Sequence, residues 1–365
     1  MQPLSGIRIL DFTTLLPGPL ATLLLAEAGA EVIKIERPGG EDMRHYEPRF
    51  DGESAMFTLL NRGKVSLVLD LKRASDQARL RPLLERADVL VEQFRPGVME
   101  RLGLGYDAVR KINPRLVYCS ITGYGQRGPR AGDAGHDLNY IGNTGLLALN
   151  PGPPERPVVP PALVADIGGG TLPAVINILL GLRKRDQSGQ GCHIDVAMAD
   201  AMFTFAAHAL ASGQATGQFP GMGGARLTGG SARYQLYPTK DGKLVACAAL
   251  EQKFWETFAA AIGLAAEFVD DRRDPMASKV AVAAIIVGRS ADDWRPILAK
   301  ADCCVTVMAT MQEALRDPHF VQRGLFAHTV AGPSGATMPA LPVPIDPNFR
   351  ADPAVVKAVP KLNGG

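Results

Sequence analysis

Disulfide chemistry has little to work with in this chain. Its 365 residues include five cysteines, Cys119, Cys192, Cys247, Cys303 and Cys304. An odd number without repeating spacing argues against a disulfide framework. No C-x-x-C pair occurs, which argues against a structural zinc site. No apolar run reaches the ~18 residues of a membrane span, and Met-Gln-Pro-Leu-Ser-Gly at the start does not read as a signal peptide. The expectation is a soluble protein in a reducing, cytoplasmic setting, with no membrane partner. Charge of one sign is not concentrated either. The 39 Lys and Arg nearly balance 37 Asp and Glu, for a net +2, and no basic run calls for nucleic acid. The phosphate loop G-x-x-x-x-G-K-[ST] is missing, as is a G-x-G-x-x-G after the first strand, so ATP and nicotinamide sites are disfavoured.

What is present is ordinary globular composition, 46% hydrophobic and 21% charged. At this length two domains are the default. The first half alternates short β-branched runs with helical stretches. Strands are expected at Ile7–Leu10, Glu31–Glu36, Ser66–Leu71, Asp88–Phe94 and Leu116–Ile121. Helices are expected at Pro17–Ala30, Asp76–Ala87 and Val98–Asn113. That rhythm implies an α/β fold with a parallel, Rossmann-like sheet. Pro151–Pro161 reads as an extended linker. A helix from Gly170 to Asp186 stops at Gly189, followed by a strand at Cys192–Val196 and a helix at Ala197–Ser212. The glycine-packed stretch 213–230 reads as a connector to a smaller α+β domain over 231–315. The large domain is then 1–212 plus 316–365. The small domain is expected to hold strands at Leu244–Ala249 and Cys303–Met308 and helices at Gln252–Ile262 and Ala291–Ala301. The proline-rich tail, 339–365, is expected to lie across a surface.

Ligands of open α/β sheets bind at the carboxyl ends of the strands. There the chain places Gly123-Tyr-Gly-Gln-Arg-Gly, then His136 and, about a helix later, Asp166-Ile-Gly-Gly-Gly170. A histidine beside glycine-rich backbone after a strand is a candidate acid or base. Alone it would pass for a loop histidine. Asp166 fits a helix cap or a base beside free backbone N–H groups. Glu251, between a strand and a helix, fits a first-turn acid or a partner that tunes a histidine. Arg37, Arg62, Lys64, Arg95 and Arg101 fall at or just after strand ends, several beside Gly or Pro turns. Singly each is a solvated surface charge. Together they suggest phosphate contacts.

These segments resemble the family III CoA-transferase (CaiB/BaiF) superfamily, and within it the α-methylacyl-CoA racemases. The resemblance runs through Pro3-Leu-Ser-Gly-Ile-Arg-Ile-Leu-Asp11, Ile33-Lys-Ile-Glu-Arg-Pro-Gly39, Asn61-Arg-Gly-Lys64, Leu69-Asp-Leu-Lys72 and Phe94-Arg-Pro-Gly97. It continues through Thr122-Gly-Tyr-Gly-Gln126, Ala134-Gly-His-Asp-Leu-Asn-Tyr140, Asp166-Ile-Gly-Gly-Gly170 and Asp195-Val-Ala-Met198. Late in the chain, Ala301-Asp-Cys-Cys-Val-Thr306 and Asp317-Pro-His319 also fit. Two departures stand out: Val65 where relatives often carry a basic residue, and Val307 at a position commonly proline.

The resemblance implies an acyl-CoA thioester as substrate, with coenzyme A as part of it and no metal or other cofactor. It implies an interlocked homodimer whose active site joins the large domain of one subunit to the small domain of its partner. It places His136, Asp166 and Glu251 at the chemistry. It places Arg37, Arg62, Lys64, Arg95, Arg101, Tyr124, Gly125, Asp137 and Tyr140 around the CoA. In the racemases a His-Asp segment matching His136 and an aspartate matching Asp166 move the α-proton of a thioester, and a glutamate matches Glu251. In the transferases the aspartate is a nucleophile that forms an acyl anhydride, and the position of His136 is commonly not histidine. The reading is racemisation of 2-methylacyl-CoA thioesters through an enolate. The alternative is transfer of CoA between carboxylic acids. Backbone N–H groups near Asp137 and Gly168–Gly170 are expected to hold the enolate oxygen. Met198–Phe205 and Met222 are expected to offer loose apolar surface to the acyl chain.

Overall fold

Six β-branched runs pair as expected in the computed structural model, which describes residues 2–150 and 158–364. They are β1 (Arg8–Phe12), β2 (Glu31–Glu36), β3 (Val65–Val68), β4 (Val89–Glu92), β5 (Val117–Thr122) and β6 (Cys192–Ala197). All pair in parallel, in the order β3-β2-β1-β4-β5-β6. Leu10 of β1 sits opposite both Ile33 of β2 and Leu90 of β4. The chain order reverses there, which opens a crevice beyond the carboxyl ends of β1 and β4.

Helices cover both faces. Helix α1 (Pro17–Glu27) starts at Pro17, whose fixed φ suits a first helical turn, and every one of its residues is buried. A helix apolar all round is a core helix. Its last residue, Glu27, would oppose the helix dipole; Arg62 (2.9 Å), Arg350 (3.1 Å) and Lys357 (3.6 Å) answer it. Next come α2 (Ala55–Asn61) and α3 (Ala74–Arg86). The single helix expected over Val98–Asn113 is two, α4 (Val98–Arg101) and α5 (Tyr106–Ile112), because Gly103 turns left-handed at φ +72° between them. Leu80, Leu84, Met99 and Val109 from this side pack on Leu10, Phe12, Leu90 and Tyr118 of the sheet.

Helix α6 (Asp137–Asn143) precedes a π-helical turn, Val164–Thr171, that runs straight into α7 (Leu172–Ser188). Gly189 ends α7 at φ +73°, as expected. The continuous helix Val164–Ser188 is long and apolar enough to cross a bilayer by length and composition. The triple glycine hid that length in the sequence. Its Ala174, Val175, Ile178 and Leu182 are buried in the large unit, as in a core helix, while Ile176, Leu179 and Leu180 on its other face are exposed. The tail forms β-structure of its own: Thr329–Ala331 pairs with Thr337–Pro339 and with Lys357–Ala358. It docks on the same chain, where the Gly63 N–H donates to the Ala358 carbonyl at 2.8 Å.

The chain divides into two compact units. The first is Met1–Thr144, Ala162–Phe205 and Pro318–Gly365; the second is Gly145–Pro161 and Ala206–Asp317. The stretch 213–230 therefore belongs to the second unit rather than standing as a connector. Within it, α8 (Ala207–Thr216) replaces the end of the helix expected over Ala197–Ser212. Most of the linker expected at Pro151–Pro161 lies outside the described residues. By itself the second unit is an antiparallel sheet, Val305–Val307 beside Leu244–Cys247 beside Gln235–Pro238. Helices α9 (Gln252–Ile262), α10 (Pro275–Ile286) and α11 (Ala291–Ala301) accompany that sheet. Trp255, Phe258, Val282, Ile286 and Trp294 fill its core.

Candidate active site

Three segments after strand ends converge on one cavity of about 500 Å³ in the first unit. Thr14, Leu15 and Pro17 follow β1. Gln93, Phe94 and Arg95 follow β4. Thr122 and Gly123 end β5, and His136, Tyr140, Asp166 and Met198 complete the wall. Gly123 and Gly135 are required where they stand. A Cβ on either would lie 2.4 Å or 2.7 Å from the Tyr140 ring. The Tyr140 hydroxyl donates to the Gly135 carbonyl, and burial pushes that phenol up to about 12.

His136 is the N-cap of α6 in extended backbone, its N–H donating to Asn139 Oδ1 at 3.0 Å. Its ring is left exposed at the cavity. Asp137 is buried, and its Oδ1 accepts the N–H groups of Ala165 (2.7 Å) and Asp166 (3.0 Å). Those are two of the otherwise orphaned donors at a helix start. One carboxylate thus ties α6 to the π-helical turn and sets Asp166 on the wall that His136 also lines. The Asp166 carboxyl is pushed up to about 6, first by burial and then by the negative charge of Asp137, with His136 opposing. The Gly168–Gly170 run serves close packing. A Cβ on Gly169 would sit 2.3 Å from the Met198 carbonyl, and one on Gly168 would sit 2.5 Å from the Phe205 ring.

A second cavity, of about 760 Å³, shares Thr14 and Phe94 with the first. Arg37, Lys72 and Arg101 bring positive charge to it, Glu36, Glu41, Asp42 and Asp70 bring carboxylates, and Ile35, Leu69, Leu71, Val98 and Leu102 bring apolar surface. Arg37 pairs with Asp42 and donates Nε to the Gly40 carbonyl at 3.0 Å. Arg95 is exposed on the wall of the first cavity.

Arg62 and Lys64 are corrections. Arg62 is buried and spends its guanidinium on Glu27 and on the carbonyls of Leu59 and Leu341. Lys64 is buried with Asp11, Thr22, Asn61 and the Pro19 carbonyl around its ammonium. Neither lines either of these two cavities, because a cation after a strand can turn inward to answer a buried carboxylate. Asp137 likewise holds backbone rather than facing solvent. Tyr124 stands edge-on to Tyr140, 5.2 Å between ring centres. Gly125 turns the chain at φ +83°, after which the Gln126 N–H donates to Asp195 at 3.0 Å. Lys72 was missed, although it follows β3 as Arg37 follows β2. Thr14, Leu15 and Gln93 were missed because nothing in their residue types marks them.

Glu251 belongs to the second unit. It is exposed at the start of α9 and lines a cavity of about 630 Å³ there with His208, Ser212, Arg226 and Leu250.

Residues 4–364 match CoA-transferase family III. The chain is 34% identical to human alpha-methylacyl-CoA racemase, over 96% of this chain and 90% of that protein. It is 35% identical to the acetyl-CoA:oxalate CoA-transferase of Acetobacter aceti, over 99% of this chain and 93% of that one. A crystal structure of a CaiB/BaiF family protein from Brucella suis superposes with a TM-score of 0.83 at 31% identity, covering 99% of this chain and 97% of that one.

Proposed function

The chain belongs to CoA-transferase family III, and within that family we propose that it racemises 2-methylacyl-CoA thioesters. The observation that carries this reading is that His136 and Asp166 line one cavity, with the Asp166 carboxyl raised to about 6. A thioester carbonyl acidifies its α-hydrogen. One base removes that proton, the carbonyl oxygen takes up the negative charge as an enolate, and an acid on the opposite face returns a proton to the α-carbon. The net change is inversion, with one proton passed from substrate to enzyme and one passed back. A carboxyl near 6 can hold or release a proton near neutral pH, as one member of a two-base exchange must. The N–H of Asp137, first in α6, has no acceptor within the helix and is the proposed donor to the enolate oxygen. Such a donor is typically worth about 3 kcal/mol in the transition state.

The proposed CoA path runs from the cavity with Arg37, Lys72 and Arg101 past Arg95 to His136. Met198 supplies apolar surface beside the α-carbon. The exposed Ile176, Leu179 and Leu180 support a homodimer, since apolar patches of this kind mark interfaces. In that dimer the partner's Glu251 is proposed to orient His136.

The second reading is CoA transfer, which the 35% identity to an acetyl-CoA:oxalate CoA-transferase keeps in play. Asp166 would then attack the thioester and form an anhydride as CoA thiolate leaves. Hydroxylamine separates the two. A hydroxamate on the Asp166 peptide, with near-normal activity of His136→Ala, favours transfer. An unmodified Asp166 and an inactive His136→Ala favour racemisation.

A further inference from the structure

Four charged side chains lie buried together beneath the loop that joins the two cavities: Asp11 of β1, Lys34 of β2, Glu41 and Lys64. Two are acids and two are bases, so the set is neutral as a whole. Isolated buried charges are costly and persist only when paired and hydrogen-bonded. Asp11, Lys34 and Glu41 each also bond the backbone of one short segment. Asp11 Oδ1 accepts the Thr13 N–H at 2.9 Å and the Thr13 hydroxyl at 2.5 Å. Lys34 Nζ donates to the Thr13 carbonyl at 2.7 Å and lies 3.0 Å from Glu41 Oε1. Glu41 Oε2 accepts the Leu15 N–H at 2.9 Å. Lys64 donates to Asp11 at 3.0 Å, closing the set. Beyond it, the Pro17 carbonyl accepts the Thr171 hydroxyl at 2.8 Å, and Gln93 accepts the Gly18 N–H at 3.0 Å.

The held segment is one the backbone does not favour. Leu15 sits at φ +62°, a left-handed conformation that is unfavourable for a non-glycine residue. Such conformations persist where their surroundings over-determine them, commonly at functional sites. Leu15 lines the catalytic cavity, and Thr14 lines both cavities. We infer that Glu41, Lys34 and Asp11 are positioning residues for the reaction: through the backbone of Thr13 and Leu15 they fix the saddle over which the thioester end of the ligand reaches His136 and Asp166. This inference rests on the α-proton reading for its kinetic consequence and on geometry alone for its structural one.

The test uses the intact protein and two readouts. Amide hydrogen exchange of the peptide containing Leu15 is measured first, and it needs no activity. Slow exchange is expected in the parent and faster exchange in Glu41→Ala, whereas Glu41→Gln, which keeps an acceptor for the Leu15 N–H, stays close to the parent. The second readout is α-deuterium incorporation into a 2-methylacyl-CoA, with CoA affinity by calorimetry. Glu41→Ala is expected to lower kcat roughly 10- to 100-fold, as small misplacements do. Its CoA affinity should fall less than its kcat, because Lys72 and Arg101 lie on other segments and only Arg37, held by Gly40 and Asp42 on either side of Glu41, is close enough to be disturbed. Glu41→Gln should recover most of the rate. A folded Glu41→Ala with unchanged exchange and unchanged kcat overturns the inference, and so does loss of kcat and CoA affinity in equal measure. Should Glu41→Ala not fold, Thr13→Val, which removes one hydroxyl at constant shape, is read the same way. A parent protein that incorporates no deuterium defeats the functional reading instead, and the exchange experiment still decides whether the network holds the loop.

Discussion

Two carboxylates at this site do opposite work. Asp137 faces inward and spends its charge on two backbone N–H groups; Asp166 faces the cavity and feels that charge. Because its pKa rises from 3.8 to about 6, the folded chain keeps a proton that the unfolded chain has already released between those values. Stability therefore falls as pH rises through that window and stays lower above it. Asp166→Asn should raise Tm relative to the parent at pH 8 and change it far less at pH 4, at the lower edge of that window. A Tm gain that is equal at both pH values would show that ionisation is not the cause. In activity, His136→Ala and Asp166→Ala should each slow α-proton exchange by about 10²–10⁴-fold, the range for a positioned acid or base. Initial rates of deuterium uptake check this. Their types and glycine-rich setting made both residues legible in sequence. Their coupling through Asp137 was not, since a buried acid that caps another segment reads like any other aspartate.

At the scale of elements, the strands were legible because β-branched runs recur between amphipathic stretches. Helix ends and interruptions were less so. Gly103 splits one expected helix, and the glycines of 168–170, which look like a flexible stop, lie inside a continuous helix pressed against Met198. Their role makes a sharp prediction. Gly169→Ala sets a Cβ 2.3 Å from the Met198 carbonyl, and overpacking of this kind costs about 1–3 kcal/mol. Thermal unfolding should show that loss, together with reduced α-proton exchange as the turn bearing Asp166 shifts. Gly132→Ala, where a Cβ meets nothing within 4 Å, is the control expected to change neither. The strand-end cations divide in the same way. Arg62→Ala leaves Glu27 with one fewer partner in a buried cluster, and breaking a buried pair costs about 3–5 kcal/mol, so it should lower Tm. Arg95→Ala should leave Tm alone and weaken CoA binding by about 1–3 kcal/mol. Calorimetry and a melting curve on each variant separate the two; weaker CoA binding with normal Tm in Arg62→Ala would reverse the assignment.

At the scale of the molecule, a parallel sheet was expected from alternation alone, while its switch point came only with the strand order, and family membership spans residues 4–364. The second unit takes in more than expected, 145–161 and 206–230 as well as 231–317, because a connector rich in glycine can still fold into the unit it leads to. The tail's place on its own chain was invisible for a different reason: its partners, Glu27 and Gly63, lie about 300 residues away. The exposed face of α7 predicts a dimer by sedimentation, and Leu180→Asp should shift it towards monomer. The central claim is that this protein moves a proton at the α-carbon of a thioester. Its most direct test is mass spectrometry of a single-enantiomer 2-methylacyl-CoA incubated with the protein in D2O. The account predicts one deuterium at the α-carbon, accumulation of the other enantiomer, and loss of both in His136→Ala. Complete retention of hydrogen across several acyl chains, with CoA passing to an added carboxylate, would contradict it.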